Sequence, residues 1–165
     1  MYRAVIETPL YPVLVAISNS GLVSLVLLSE EDAIRKRQIC RLQPTPSQME
    51  TIHLTDTENW LDSFFSDKPL TSPEVDISSG TQFQQDIWKT LQTIELGETI
   101  TYGELAAKAG HNKASRAVGS AMASNPICLI IPCHRVVQSD GKLGNYSGHG
   151  GQETKRWLLD HEFKE

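Results

Sequence analysis

"TYGELAAKAGHNKASRAVGSAMASNP", residues 101–126, is the stretch that decides how the second half of this chain folds. Thr101 and Glu104 stand at the Thr-x-x-Glu spacing of a capping box, in which the two side chains satisfy backbone N–H groups at a helix start. The pattern predicts a helix over residues 102–109, ended by Gly110. Past His111 and Asn112, a second helix is expected over residues 113–122. Its apolar face would hold Ala114, Ala117, Val118, Ala121 and Met122, with Lys113, Arg116 and Ser120 turned away. Two short helices joined at a glycine make a helix-turn-helix, whose second helix commonly enters a nucleic-acid groove. Small residues also let a helix pack tightly, so on this pattern alone a packing role and a DNA-reading role both stay open.

Asn125-Pro126 stops the second helix, and the apolar run at residues 127–131 reads as a short buried strand or extended segment. It leads into "IPCHRVV", residues 131–137, where Cys133 stands beside His134 and Arg135. A cysteine is nucleophilic as its thiolate, and needs a base or a positive charge close by. Successive side chains of a strand face opposite ways, but Pro132 favours a bend that would let both neighbours reach one pocket. The residues alone leave Cys133 as either a reactive thiol or a buried structural one, because free cysteine is among the most buried residue types. Cys128, inside the apolar run, reads as core. The glycine-rich residues 143–152 are expected to form a loop, either a plain connection or a flap that closes over a flat ligand with Ser147. A final helix over residues 153–161 carries Trp157, Leu158 and Leu159.

In the other direction, Phe83, Ile87, Trp88, Leu91 and Ile94 recur at helical spacing, with Gly97 expected as the C-terminal cap. Residues 68–81, "KPLTSPEVDISSGT", are rich in Pro, Ser and Gly and mark the expected domain boundary. Before it, residues 2–28 alternate apolar and β-branched residues, and Asn19-Ser20-Gly21 supplies a turn, so a small antiparallel sheet is expected. A helix over residues 57–66, capped by Thr57, would lay Trp60, Leu61, Phe64 and Phe65 on that sheet. Trp60, Trp88 and Trp157 all sit at apolar helical positions and are expected in the core.

The 165 residues suffice for one ordinary domain or two small ones. The net charge of −5 is uneven: residues 1–80 carry six Lys/Arg against eleven Asp/Glu, whereas residues 81–165 carry nine of each. The second half is therefore not electrostatically closed to nucleic acid. Three cysteines at irregular spacing fit neither a disulfide framework nor a metal knuckle, and Cys40 with His53 lacks further ligands. Reduced thiols and no metal are expected. No apolar run approaches the roughly 18 residues of a membrane span, and the N-terminus has no signal-peptide pattern, so a cytoplasmic protein without a membrane partner is expected.

Taken together, "TYGELAAKAG", "SRAVGSAMASNP", "IPCHRVV" and "GNYSG", in this order and spacing, closely resemble the O6-alkylguanine-DNA alkyltransferase family, the methylated-DNA–protein-cysteine methyltransferases. The likeness covers residues 83–162, with the first half similar only in layout. It implies an α+β protein. Residues 1–80 would form a ribonuclease H-like domain of sheet and helix, and residues 81–165 a helical domain with a winged-helix-like helix-turn-helix. By this resemblance, Cys133 accepts an alkyl group from O6 of guanine, or O4 of thymine, in double-stranded DNA, once per molecule. His134 polarises the thiol through a water, Glu162 orients His134, and Tyr102 donates a proton toward the guanine ring. Arg116 fills the gap left by a flipped base, on a recognition helix whose Lys113, Ala114, Ser115, Ala117 and Ser120 face DNA. Asn125 ties that helix to the active segment, while Val136, Tyr146, Ser147 and Lys155 surround the base. No cofactor and a monomer are implied, at the nucleoid in a prokaryote or in the nucleus of a eukaryote. Position 128 is cysteine where some members have proline. Two other classes remain to be weighed. A non-catalytic protein that binds alkylated bases would lack Cys133, and a cysteine hydrolase would leave the helix-turn-helix without a purpose.

Overall fold

The computed structural model describes residues 1–68 and 71–163. Pro69 and Leu70, part of the expected boundary segment, lie outside the described residues. The chain forms two compact units, Met1–Ile77 and Ser78–Glu165, and is of mixed α and β structure with one small antiparallel sheet and several helices.

In the first unit, β1 (Tyr2–Ile6), β2 (Val13–Ser18) and β3 (Gly21–Leu27) form an antiparallel sheet in the order β1-β2-β3. Val13 faces Leu27 and Val15 faces Leu25, and a register shift after Ala16 then sets Ile17 opposite Leu22. That shift acts as a bulge: it restores Leu22 to the inner face, which strict alternation would have given to Val23. All six of these apolar side chains are buried. Helix α1 (Glu30–Cys40) packs against β1 and β2, and helix α2 (Gln48–Phe65) against β2 and β3.

Both helices depart from the sequence reading. The helix expected over residues 57–66 starts nine residues earlier, at Gln48, where Ser47 and Glu50 close a capping box. Thr57 is therefore no cap; it lies inside α2, with its hydroxyl donating to the His53 carbonyl at 2.8 Å. The buried stripe of α2 begins with Glu50, His53 and Thr57, which are polar, so apolar periodicity becomes visible only at Trp60. Helix α1 buries only Ala33 and leaves Ile34 and Ile39 exposed, so it has no stripe to read.

The second unit opens with α3 (Gln82–Leu91), capped by a Thr81–Gln84 capping box. Trp88 donates its indole N–H to the Ala121 carbonyl at 2.9 Å. Its ring lies so close to Gly80 that a Cβ there would come within 2.4 Å of it, which fixes a glycine in the boundary segment for space rather than for flexibility. The helix ends at Leu91, not at Gly97. Ile94 is still buried, but in a following turn, and Gly97 (φ 79°) serves a separate turn in which Glu98 N–H donates to the Glu95 carbonyl.

The opening stretch folds into α4 (Tyr102–Lys108), with both bonds of its Thr101–Glu104 capping box made, and α5 (Ser115–Ala123). Lys113 is not in the second helix. It takes a left-handed conformation (φ 65°) and Ala114 becomes the cap residue, so the helix starts two residues later than its composition suggests. Val118, Ala121 and Met122 are buried, whereas Ala117 is exposed beside Ser115, Arg116 and Ser120 rather than packed inward. The run at residues 127–131 is not a strand: Leu129 has φ 71°, and Ile131 N–H donates back to the Ile127 carbonyl. A 3₁₀ turn, Cys133–Arg135, follows directly, then β5 (Val136–Val137), which pairs in parallel with β4 (Ile100–Thr101). The last helix, α6 (Gly151–Glu162), takes in Gly151 and Gln152 from the expected loop. Its Trp157 is 38% exposed and stacks on His161 rather than entering the core, unlike Trp60 and Trp88.

Candidate active site

Asn125 builds the site from its base. Its side-chain carbonyl accepts from Ile127 N–H at 3.0 Å, and its amide donates to the Ile131 carbonyl at 2.8 Å. One side chain thus clasps both ends of the buried turn and fixes where Pro132 delivers Cys133.

Cys133 is only 4% exposed, yet it reaches the wall of a cavity of about 810 Å³. That cavity is walled by Tyr102 from the start of α4, Ser115, Arg116 and Gly119 from α5, and Tyr146 and Ser147 from the glycine-rich loop. The Tyr146 hydroxyl is buried and has no hydrogen-bond partner among the described residues. Burial and the nearby cysteine charges push its ionisation well up, so it stays a neutral hydroxyl. Tyr102 is raised as well, first by burial and then by the charge on Cys133.

Behind the thiol lies a closed polar network. His134 is fully buried, and its Nε2 sits 2.6 Å from Glu162 Oε1. Burial is the first cause that lowers the His134 value, outweighing the pull of Glu162, so the ring is neutral at neutral pH. A neutral ring that gives its Nε2 proton to a carboxylate leaves Nδ1 as a bare acceptor, and this Nδ1 is buried without a hydrogen-bond partner among the described residues. Burial alone would raise the Glu162 carboxyl, but hydrogen bonds from His134 and Arg135 overcome it and hold the group at about 2.

Arg135 does not serve the thiol. It forks onto Glu162, Nε to Oε2 at 2.8 Å and Nη2 to Oε1 at 2.9 Å, and donates Nη1 to the Ile94 carbonyl at 2.6 Å. The cation that acts on Cys133 is Lys155, on α6. Lys155 is fully buried; its ammonium donates to the carbonyls of Val136 (2.6 Å) and Asn145 (3.2 Å), and burial brings its value down to about 8.

The structure therefore gathers Cys133, Tyr102, Arg116, Ser115, Tyr146 and Ser147 at the cavity, with His134, Glu162, Asn125, Val136 and Lys155 in the layer beneath. Lys113, Ala117 and Ser120 lie outside the cavity wall and are exposed; Ala114, also outside it, is half-buried. Sequence reading missed Gly119, Met122 and Ala123 on α5, and Gln138, Ser139, Asp140 and Asn145 beyond it, as cavity residues. Asn145 lies inside the quoted "GNYSG" block and was within reach; Gln138 and Asp140 carry no pattern of their own. A second cavity, about 520 Å³ beside His53 and Trp60, holds none of the expected site residues. Among the described residues, no three His, Cys, Asp or Glu side chains are placed to hold a metal, and no helix is long and apolar enough to cross a membrane.

Comparison with known proteins bears on this arrangement directly. The family described as 6-O-methylguanine DNA methyltransferase, DNA binding domain, matches residues 82–164. A methylated-DNA–protein-cysteine methyltransferase of Methanosarcina mazei is 40% identical over 162 residues, covering 98% of this chain and 97% of that protein. The mouse protein of the same name is 49% identical over 110 residues, 62% of this chain but only 52% of its own length. The match thus spans about half the length of the mouse relative. Among solved structures, Mycobacterium tuberculosis OGT in complex with DNA superposes with a TM-score of 0.80 at 36% identity, covering 99% of this chain and 93% of that one.

Proposed function

The chain belongs to the 6-O-methylguanine DNA methyltransferase family, and from that premise we propose that it repairs O6-alkylguanine, and O4-alkylthymine, in double-stranded DNA. It does so by moving the alkyl group irreversibly onto its own Cys133. The observation that carries the reading is a cysteine in the wall of a cavity of about 810 Å³, backed by a neutral histidine and a buried carboxylate.

The proton of Cys133 passes by way of a water to Nδ1 of His134, whose orientation Glu162 holds. Sγ then attacks the alkyl carbon: the S–C bond forms as the C–O6 bond breaks, and the electron pair stays on the base. Tyr102, protonated at neutral pH, supplies a proton toward the departing purine ring. The product is a thioether without a good leaving group, so each molecule acts once. Reaching a paired base requires flipping it out of the stack, which costs a few kcal/mol. The exposed, small-residue face of α5 suits close approach in the minor groove, with Arg116 at the cavity rim to occupy the vacated space and Lys113, Ala114, Ser115, Ala117 and Ser120 beside it. Tyr146 and Ser147 line the base pocket, with Asn125, Val136 and Lys155 supporting it from the layer beneath.

We read residues 1–80 as a ribonuclease H-like domain and residues 81–165 as the winged-helix-like, alkyl-accepting one. The protein would act as a monomer without a cofactor, at the nucleoid of a prokaryote or in a eukaryotic nucleus. A purely binding role is disfavoured by Cys133 itself and by the His134–Glu162 pair behind it.

The test is a duplex whose O6-methylguanine carries an isotopically labelled methyl group. One label per protein molecule is expected, on the peptide that contains Cys133; label elsewhere, or none, defeats the proposal. The role of Arg116 is checked separately. Arg116→Ala is expected to slow repair of duplex by roughly 10- to 100-fold, while reaction with free O6-benzylguanine changes little. Equal losses on the two substrates would remove the base-replacing role.

A further inference from the structure

We propose that His111 and Asp86 are a positioning pair for the recognition helix: Asp86, fixed on α3, holds the turn from which α5 starts and so sets α5 for duplex DNA. This rests on the reading of α5 as the helix that approaches DNA, but concerns two side chains to which that reading gives no task.

The start of α5 is weakly held by its own residues. Ala114 caps it without a side-chain hydrogen bond, where Ser, Thr, Asp or Asn would ordinarily supply one. Lys113, just before it, is left-handed at φ 65°, a conformation that a residue of this kind keeps only when its surroundings impose it. His111 supplies such surroundings. Its N–H donates to the Ala106 carbonyl at 2.8 Å and its carbonyl accepts from Ala114 N–H at 3.2 Å, which joins α4 to the cap of α5. Its ring leaves the turn for α3: Nε2 lies 3.0 Å from Asp86 Oδ2, and the ring meets Phe83 edge-on with centroids 4.8 Å apart. A carboxylate only accepts, so Nε2 carries the proton of this bond.

Asp86 is a fixed anchor. Gln82 on the same helix donates to its Oδ1 at 2.8 Å, so both carboxylate oxygens are engaged and the side chain has one orientation. The same helix also grips the far end of α5. Trp88 donates to the Ala121 carbonyl at 2.9 Å, and the Gln84 amide donates to the Ser124 hydroxyl at 2.9 Å. Helix α3 thus acts as a template that holds α5 at both ends. Of the cavity residues on α5, Ser115 and Arg116 stand next to the His111 tie, whereas Met122 and Ala123 stand beside the anchors at the other end. Loosening the pair should therefore free the end of α5 that would meet DNA and leave the cavity wall at the other end in place.

The experiment measures affinity for a duplex that holds O6-methylguanine by fluorescence anisotropy, in a Cys133→Ser background so that no transfer consumes the duplex. His111→Ala and Asp86→Ala are each expected to raise Kd roughly 5- to 10-fold. The double variant should lose no more than either single one, because each breaks the same contact. His111→Gln, whose amide can donate to Asp86, is expected to return most of the loss. With Cys133 present, the rate with free O6-benzylguanine should be unchanged in all four. Both side chains are about one-third exposed (33% and 31%), so the variants should keep the fold, and the reaction with the free base reports that they do. An unchanged Kd in either single variant overturns the proposal, as do losses that add in the double variant or a glutamine variant that behaves like alanine. Equal losses on duplex and free base would reduce the pair to a general structural role and overturn it too. Affinity is read without transfer, so failure here is distinguishable from failure of the duplex to label Cys133, which would sink the repair reading instead. A Cys133→Ser protein with no affinity for the duplex would defeat both.

Discussion

Cys133→Ser is expected to abolish alkyl transfer while leaving the fold and the affinity for duplex intact. The exchange replaces one small buried side chain with another, so little packing is lost. Its chemistry changes completely. Cys133 ionises more readily than an ordinary thiol despite its burial, and a serine hydroxyl does not ionise in the same surroundings at neutral pH. Removing a nucleophile of this kind slows its reaction by roughly 10⁴-fold or more, so no label should reach the variant in the time the unaltered protein takes to label fully. Fluorescence anisotropy with a duplex that holds O6-methylguanine should still report binding. The pair of results separates the two readings weighed from the sequence: a base-binding protein without chemistry would be indifferent to the loss of this thiol in both assays. Transfer that persists in Cys133→Ser would place the acceptor elsewhere.

Much of the second unit was legible because its signals are local. Thr101 and Glu104 declare the start of α4 three residues apart, and the structure makes both bonds of their capping box. The reading failed where a conformation is set by contacts distant in the chain. Nothing in the composition of residues 127–131 distinguishes a buried strand from a buried turn, because the left-handed Leu129 is held by the Asn125 clasp and not by a residue preference. The same is true of charge. Arg135 is the nearest cation to Cys133 in sequence, yet it faces Glu162, 27 residues on, and the thiol is served by Lys155 from α6. Adjacency along the chain left Cys133 as either a reactive thiol or a structural one and offered Arg135 as its cation; the packing of α6 against the 3₁₀ turn is what assigned the charges. In the first unit the difficulty was different. The hidden half of α2 is amphipathic only if Glu50 and His53 are counted as inward-facing, and a hydrophobic pattern does not count them.

Glu162→Ala is expected to be the most destabilising of the substitutions considered, and its effect should depend on pH in a defined sense. The Glu162 carboxylate, 7% exposed, accepts from His134 and twice from Arg135. Alanine would leave a buried guanidinium with only the Ile94 carbonyl among the described residues, and breaking one side of such a buried pair costs about 3–5 kcal/mol. The linkage gives the same scale. A carboxyl held at about 2 in the folded protein, against 4.5 for a glutamate side chain free in water, contributes about 3 kcal/mol. Because the folded value is the lower one, that contribution is complete above pH 4.5 and is lost as pH falls toward 2. Urea unfolding of the unaltered protein and Glu162→Gln should therefore differ most at neutral pH and converge in acid. The glutamine variant keeps one carbonyl acceptor, so it should fall between the parent and Glu162→Ala in stability. It should also slow transfer by roughly 10²-fold at temperatures where it remains folded, since His134 loses the anion that fixes its Nε2 proton. A gap between the unfolding curves that stays constant from neutral pH into acid would show that the carboxylate charge is not what holds this layer together.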